Sequence, residues 1–182
     1  MSEYSCGCRE SLPEHDHENR ENKVVLSCGT GSGVPIPVSN NLGWQPCLVV
    51  GTVVLDTRGL KKPTVKIDYS SIVNFAANCI LFEFEIRFQL SRSCNGGEKV
   101  PLASCTYERN IGFNSPSNFA EAREVLGLIT IGYQDPVAFT WCDCHDCPGC
   151  CTYTVELIGV NAIGIASASI TNVGINALAV GC

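Results

Sequence analysis

The sequence predicts an all-β protein: an antiparallel β-sandwich of jelly-roll type, preceded by an extended N-terminal connector arm. From residue 24 onwards, segments rich in Val, Ile, Phe, Tyr and Thr alternate apolar with polar residues, and Gly, Asn or Pro clusters separate them. Helical periodicity is nearly absent, since only Asn118–Val125 has helical character. Many short strands with turns between them indicate a sandwich rather than an α/β fold.

The clearest strand lies around Phe82–Leu90, where strict alternation places apolar side chains on one face and charged ones on the other. The last segment, Cys151–Cys182, is almost uncharged, and it is either a central strand pair of the core or an interface with a neighbouring subunit. The candidate strands are Val24–Ser27, Leu48–Asp56, Thr64–Val73, Ala77–Ser91, Ser104–Ile111, Val125–Tyr133, Ala138–Asp143, Cys151–Val160 and Ile163–Val180. Turns are predicted at residues 31–33, 40–43, 58–59, 95–97, 114–116 and 135–136.

Residues 1–23 form a connector and polar spacer that is separate from the sandwich domain, residues 24–182. The tip Cys6-Gly7-Cys8 is followed by Arg9–Lys23, which is too polar to bury a core of its own. The segment is either a disordered tail or a connector that a neighbouring chain holds. Fully extended at ~3.3 Å per residue, Arg9–Lys23 spans roughly 50 Å.

Composition and charge exclude several classes of function. The net charge of −6 argues against nucleic acid or an anionic membrane as a partner. No apolar run reaches the roughly 18 residues of a membrane span, and the polar N-terminus lacks the apolar stretch of a secretory signal. Neither a G-x-S-x-G nor an H-E-x-x-H motif occurs, and the glycine-rich residues 28–33 lack the Lys-Ser/Thr end of a phosphate loop. No enzymatic activity, catalytic residue, metal or cofactor is therefore predicted.

Thirteen cysteines in 182 residues exceed what a chain of this length needs, because it is long enough to bury a hydrophobic core. The excess indicates either cross-linking between chains or metal binding. Cysteine-rich chains belong to oxidising surroundings, yet no export signal is predicted. Synthesis in a cytoplasm followed by exposure to air on cell lysis satisfies both observations.

The densest group of cysteines lies in residues 142–151, with His145 among them. Two C-x-x-C spacings suggest zinc, but structural zinc sites bring together two separate pairs. No second pair is present apart from the Cys6-Gly7-Cys8 tip. Intrachain disulfides are therefore favoured over metal, with consecutive cysteines of an extended strand pointing to opposite faces. The group consists of Cys142, Cys144, Cys147, Cys150 and Cys151.

The remaining cysteines divide by position. Five lie at or near predicted strand ends and loops, where a buried free thiol is the common case: Cys28, Cys47, Cys79, Cys94 and Cys105. Of these, Cys94 and Cys105 flank a predicted hairpin and are candidates for an intrachain disulfide. Cys6, Cys8 and Cys182 lie at the chain ends, where they contribute little to a core and are candidates for interchain disulfides. Because thirteen is odd, at least one thiol stays free unless a symmetric bond or a metal takes it.

Three segments resemble a family of small cysteine-rich proteins of unknown function from anaerobic spore-forming Firmicutes: residues 26–31, residues 65–69 and the run C-D-C-H-D-C-P-G-C-C-T-Y-T-V-E at residues 142–156. The overall plan also resembles that of endospore appendage pilins, which are jelly-roll subunits with an N-terminal connector. This resemblance implies that Cys6 and Cys8 are connector cysteines and that Arg9–Lys23 is the spacer. It also implies synthesis in the mother-cell cytoplasm, release by lysis and residence on the endospore surface.

The expected function is that of a self-assembling structural subunit of a disulfide-cross-linked extracellular fibre on the endospore surface. Its partner is then the protein itself, joined through the N-terminal arm and strand edges into a helical homopolymer. The alternatives are a metal-binding or redox module built on the 142–151 cluster, and an amorphous spore-coat protein.

Overall fold

A computed structural model of the chain describes residues 23–38, 47–78, 81–111, 130–144 and 149–181. These residues form ten strands and contain no helix, which confirms the all-β prediction. The strands are β1 Val24–Cys28, β2 Thr30–Gly31, β3 Val34–Ile36, β4 Leu48–Asp56, β5 Thr64–Ala77, β6 Phe82–Cys94, β7 Val100–Ile111, β8 Ile131–Cys144, β9 Cys150–Ile163 and β10 Ile165–Val180.

The strands form two antiparallel sheets that pack face to face. Sheet A has the order β1-β10-β5-β8, with β3 also paired to β10, and sheet B has the order β2-β4-β9-β6-β7. The last two strands insert between earlier ones, β9 between β4 and β6, and β10 between β1 and β5. Each sheet thus joins early and late strands of the described chain. The two strands of this last segment therefore lie inside the sandwich, as the core alternative predicted, but each in a different sheet rather than as a pair.

The core lies between the sheets and is built from the apolar side chains that each strand points inward. On β6 the inward side chains of Phe82, Phe84 and Phe88 are fully buried. The ring of Phe75 on β5 lies 5.5 Å from that of Phe82 and 4.8 Å from that of Phe84. Tyr69 packs 5.8 Å from Phe88 and is equally buried. These contacts join sheet A to sheet B, and each buried aromatic side chain contributes about 1.5–3 kcal/mol to stability.

Strand β8 corrects the sequence prediction, which placed a turn at Asp135-Pro136 between two strands. The structure has one continuous strand through both residues, with Pro136 opposite Ile72 of β5. Proline interrupts a central strand because it lacks a backbone donor, but β8 is the edge of sheet A, where proline is tolerated. The predicted helix Asn118–Val125 lies outside the described residues.

Side-chain contacts connect the edge strands β7 of sheet B and β8 of sheet A. The Tyr107 hydroxyl on β7 donates a hydrogen bond of 2.6 Å to Asp135 Oδ2 on β8. Arg109 Nε lies 4.0 Å from the same carboxylate oxygen. Sheet B is thus tied to sheet A beyond the apolar core.

The hydrogen bond between Tyr107 and Asp135 predicts a loss of stability at high pH. Burial and the neighbouring Asp135 carboxylate raise the pKa of Tyr107 well above its ordinary value. A raised pKa means that the contribution of Tyr107 to stability is complete below about pH 10, the value for an unfolded tyrosine, and is lost as pH rises towards the folded pKa.

Tyr107→Phe should lower the unfolding free energy by about 1 kcal/mol at neutral pH because the hydrogen bond is removed. It should also make the decline above about pH 10 shallower than in the parent. Urea unfolding at a series of pH values measures both effects. Tyr69 and Cys105 also titrate at high pH, since burial raises the pKa of each, but they are common to parent and variant. Equal slopes in parent and variant would refute the assignment to Tyr107.

Candidate functional site

One end of the sandwich gathers five cysteines from three strands, and it is called the cysteine end below. β6 ends at Cys94, β8 ends at Cys144, and β9 begins at Cys150. The two sheets meet at this end, since Asp143 of β8 contacts both β6 and β9 through its carboxylate. The members of the cysteine end are Cys94, Cys142, Cys144, Cys150 and Cys151.

The first feature of this end is a disulfide between Cys94 and Cys151. The two residues lie directly opposite each other on β6 and β9, with Cα atoms 4.2 Å apart, and Cys151 is fully buried. This separation is close to the ~4.5 Å of a non-hydrogen-bonded antiparallel pair, where opposed side chains come nearest.

The pairing corrects the prediction that Cys94 bonds to Cys105. The predicted turn at residues 95–97 is present, but the hairpin register places Cys105 opposite Phe88. Cys105 therefore lies six residues along β6 from Cys94, about 20 Å away at the rise of a strand. Its thiol is free and half-buried, and burial raises its pKa.

A buried ion pair lies just inside the disulfide. Arg92 Nη1 of β6 donates to Asp143 Oδ2 of β8 at 2.6 Å, and the Tyr153 hydroxyl of β9 donates to the same oxygen at 3.0 Å. Asp143 is only 7% exposed. The sequence did not predict this contact, although it contained a signal for it. Strand alternation places the charged Arg92 on the same inward-facing side of β6 as the buried Phe88 and Leu90.

Two exposed thiols stand on the outer face of sheet A, the face turned away from sheet B. Cys142 and Cys144 are two residues apart on β8, opposite Lys66 and Thr64 of β5. Thr64 Oγ1 lies 3.7 Å from Cys144 Sγ. Both thiols are free, and Asp143 between them points into the core.

Cys150 stands on the opposite face of the sandwich. It is exposed and free on the outer face of sheet B, opposite Asp56, whereas its neighbour Cys151 points inward, as the sequence predicted for consecutive cysteines. Its backbone N–H donates to Asn95 Oδ1 at 3.0 Å. Packed sheets lie about 10 Å apart, so Cys150 is separated from the two thiols of β8.

The structure therefore separates the described cysteines of the predicted intrachain disulfide cluster instead of bonding them to one another. Cys151 bonds outside the cluster, to Cys94, while Cys142, Cys144 and Cys150 carry free thiols on two opposite faces. Cys147 lies outside the described residues, as does His145. Within the described ranges no three His, Cys, Asp or Glu side chains are grouped as metal ligands.

Both ends of the domain reach the same end of the sandwich. Val24, the first residue of β1, lies opposite Val180 at the end of β10, and Gly181 N donates to Lys23 O at 3.2 Å. Val180 also lies opposite Thr64, which is opposite Cys144. One row across four strands thus runs from the start of β1 to Cys144, about 14 Å at the usual strand spacing.

The three predicted interchain cysteines, Cys6, Cys8 and Cys182, lie outside the described residues. Elsewhere in the part of the chain that the structure covers, Cys28 and Cys47 are exposed free thiols that stand singly. That part contains no helix long and apolar enough to cross a membrane.

In the residues that the structure describes, fold and site together define an antiparallel β-sandwich with one internal disulfide and exposed thiols at one end. The chain belongs to the family described as a domain of unknown function, DUF4489, whose model matches residues 22–180. The match begins next to the predicted boundary between connector and sandwich. No curated protein matches the sequence.

Proposed function

We propose that this protein is a self-assembling structural subunit of a disulfide-cross-linked extracellular fibre on the endospore surface. The observation that carries the proposal is the placement of exposed thiols beside the point where the N-terminal segment joins the domain. Cys142 and Cys144 are fixed on the outer face of one sheet and Cys150 on that of the other. Strand residues held in this way do not turn towards one another, so their bonding partners come from other segments or other chains.

The N-terminal segment supplies such a partner. It carries Cys6 and Cys8 at the tip of a polar spacer of up to roughly 50 Å. A bond from the tip of one copy to a different position on the next leaves a free tip and a free acceptor at the two ends. Such a heterologous contact grows into an open helical polymer unless a rotation closes it.

The sheet edges offer a second, non-covalent contact between subunits. β7 and β8 are the outermost strands on one side of sheets B and A. Unpaired backbone groups along an edge strand are a template for a strand from another chain. The resemblance to spore-forming bacterial proteins and appendage pilins supports placing the polymer on the endospore surface.

Assembly of the full-length recombinant protein tests the proposal. After purification in reductant and oxidation in air, we expect a ladder of multimers on non-reducing gels and fibres in electron micrographs. Reductant should convert the multimers on the gel to monomers. Deletion of residues 1–23 should prevent or weaken assembly. Cys105→Ser, which removes a half-buried thiol, is the matched control and should assemble as the parent does.

Each rival function gives a different result in this experiment. Unchanged fibres after deletion of residues 1–23 would refute the role of this segment as a connector between subunits. Stoichiometric zinc with free thiols would support the metal-binding module instead. A ladder without regular fibres would indicate an amorphous spore-coat protein.

A further inference from the structure

We infer that Cys142 and Cys144 are the acceptors for Cys6 and Cys8 of a neighbouring copy, and that two disulfides form side by side at each junction. This inference rests on the proposed function and names the position at which one subunit is bonded to the next. It follows from the spacing, the exposure and the edge position of the β8 cysteines.

The spacing of the two cysteine pairs is the same. One residue separates Cys6 from Cys8, and one residue separates Cys142 from Cys144. In an extended chain, residues two apart point to the same face and are about 6.6–6.8 Å apart. An extended tip laid beside β8 therefore brings both of its thiols opposite both acceptor thiols at once.

No other exposed thiols in the described ranges form such a pair. Cys28 on β1 and Cys47 before β4 stand singly, and Cys150 faces away from its neighbour Cys151. Cys105 is half-buried and also single. A tip with two thiols can bond twice only at Cys142 and Cys144 among these positions.

The local structure keeps both acceptor thiols turned outward. The residue between them, Asp143, is buried and held by Arg92 and Tyr153 from sheet B. Because strand residues alternate faces, this anchor fixes Cys142 and Cys144 on the outer face. The corresponding residue of the tip is Gly7, which has no side chain to collide with the sandwich on its inward side.

The edge position of β8 gives the tip access. β5 is the single strand paired with β8 in the described part of the chain, so no described strand occupies the other side of β8. The Cys94–Cys151 disulfide joins two directly opposed residues of neighbouring strands in this same protein. The proposed junction repeats that arrangement twice, between chains.

The spacer is long enough for the tip to reach a neighbouring copy as well as its own domain. The domain begins about 14 Å from Cys144 along a row of four strands. A fully extended chain of the length of Arg9–Lys23 would span roughly 50 Å, more than three times that distance. A tether of this excess length reaches a second domain packed beside the first.

The chemistry of the junction is an oxidation of four thiols. Each disulfide forms one S–S bond from two S–H groups and releases two protons and two electrons. Dioxygen is the oxidant: one molecule accepts the four electrons and four protons of a junction and becomes two molecules of water.

A mixing experiment with full-length variants tests the assignment. Cys142→Ser/Cys144→Ser should lose the reductant-sensitive ladder, whereas the control Cys28→Ser/Cys150→Ser, which also removes two exposed thiols, should keep it. A mixture of Cys6→Ser/Cys8→Ser with Cys142→Ser/Cys144→Ser should give disulfide-linked dimers and nothing larger, because each chain retains one half of the junction. Peptide mapping of the oxidised wild-type polymer should recover a peptide containing residues 6 and 8 bonded to one containing residues 142 and 144.

The possible outcomes separate this inference from the proposed function. A wild-type ladder whose mapped bonds join Cys6 and Cys8 to other cysteines would overturn the acceptor assignment and leave the fibre intact. Bonds between the tip and β8 within monomers would overturn the intermolecular junction. Absence of any wild-type ladder would overturn both. Circular dichroism of each variant verifies that the sandwich is retained.

Discussion

Arg92→Met is expected to destabilise the sandwich by about 3 kcal/mol, because it removes the cation from a buried carboxylate. Arg92 and Asp143 side chains are 18% and 8% exposed, and their closest atoms are 2.6 Å apart. The Tyr153 hydroxyl still donates to Asp143 in the variant, which places the loss at the low end for a broken buried pair. Urea unfolding of monomeric protein measures the change.

Two comparisons make this expectation specific. Arg87→Met removes an exposed arginine of the same strand, which pairs with Glu85 at 3.0 Å, and should cost less than about 1 kcal/mol. Arg92→Met combined with Asp143→Leu should recover most of the loss, since no buried charge then lacks its cation. If Arg92→Met costs no more than Arg87→Met, the ion pair does not stabilise the cysteine end.

Loss of the Cys94–Cys151 disulfide is expected to cost about 4 kcal/mol, the chain-entropy value for a closed loop of this length. The bond joins residues that are 57 positions apart, so it restricts a long stretch of the unfolded chain. Cys94→Ala/Cys151→Ala is the variant, made in a Cys6→Ser/Cys8→Ser background so that cross-linking between chains does not enter the measurement.

Denaturant unfolding with and without reductant measures the disulfide contribution. The parent should fall to the level of the double variant when reductant is added, whereas the variant should not respond. Cys28→Ala is the control, because it removes an exposed free thiol and should change stability by less than about 0.5 kcal/mol. If Cys94→Ala/Cys151→Ala unfolded at the same denaturant midpoint as its parent, the disulfide would not stabilise the sandwich.

The sequence predicted most of the strands because their signal is local. The period of two that buries Phe82, Phe84 and Phe88 is visible without any tertiary information, and β4 begins and ends where the sequence placed it. Prediction failed at Pro136, where proline reads as a turn. Only the edge position of β8 makes a strand possible there, and that position is a property of the whole sheet.

The candidate site was predicted in its residue types but not in its pairing. Strand alternation predicts that the side chains of Cys150 and Cys151 point to opposite faces, and they do so in the structure. The partner of Cys94 does not follow, because it depends on the register between β6 and β9, strands far apart in sequence. The same non-local register places Arg92 against Asp143.

By itself, the sequence determined an all-β sandwich, a polar cysteine-tipped segment ahead of it, and an excess of thiols over what a core requires. The tertiary structure decided which cysteines share one end, which two are bonded, and which thiols face outward. The reason is physical. Alternation along a strand is a property of neighbouring residues, whereas sheet order and register are chosen by burial of the whole core. Order and register alone bring Cys144 and the start of β1 into one row, with Cys142 two residues away on the same strand.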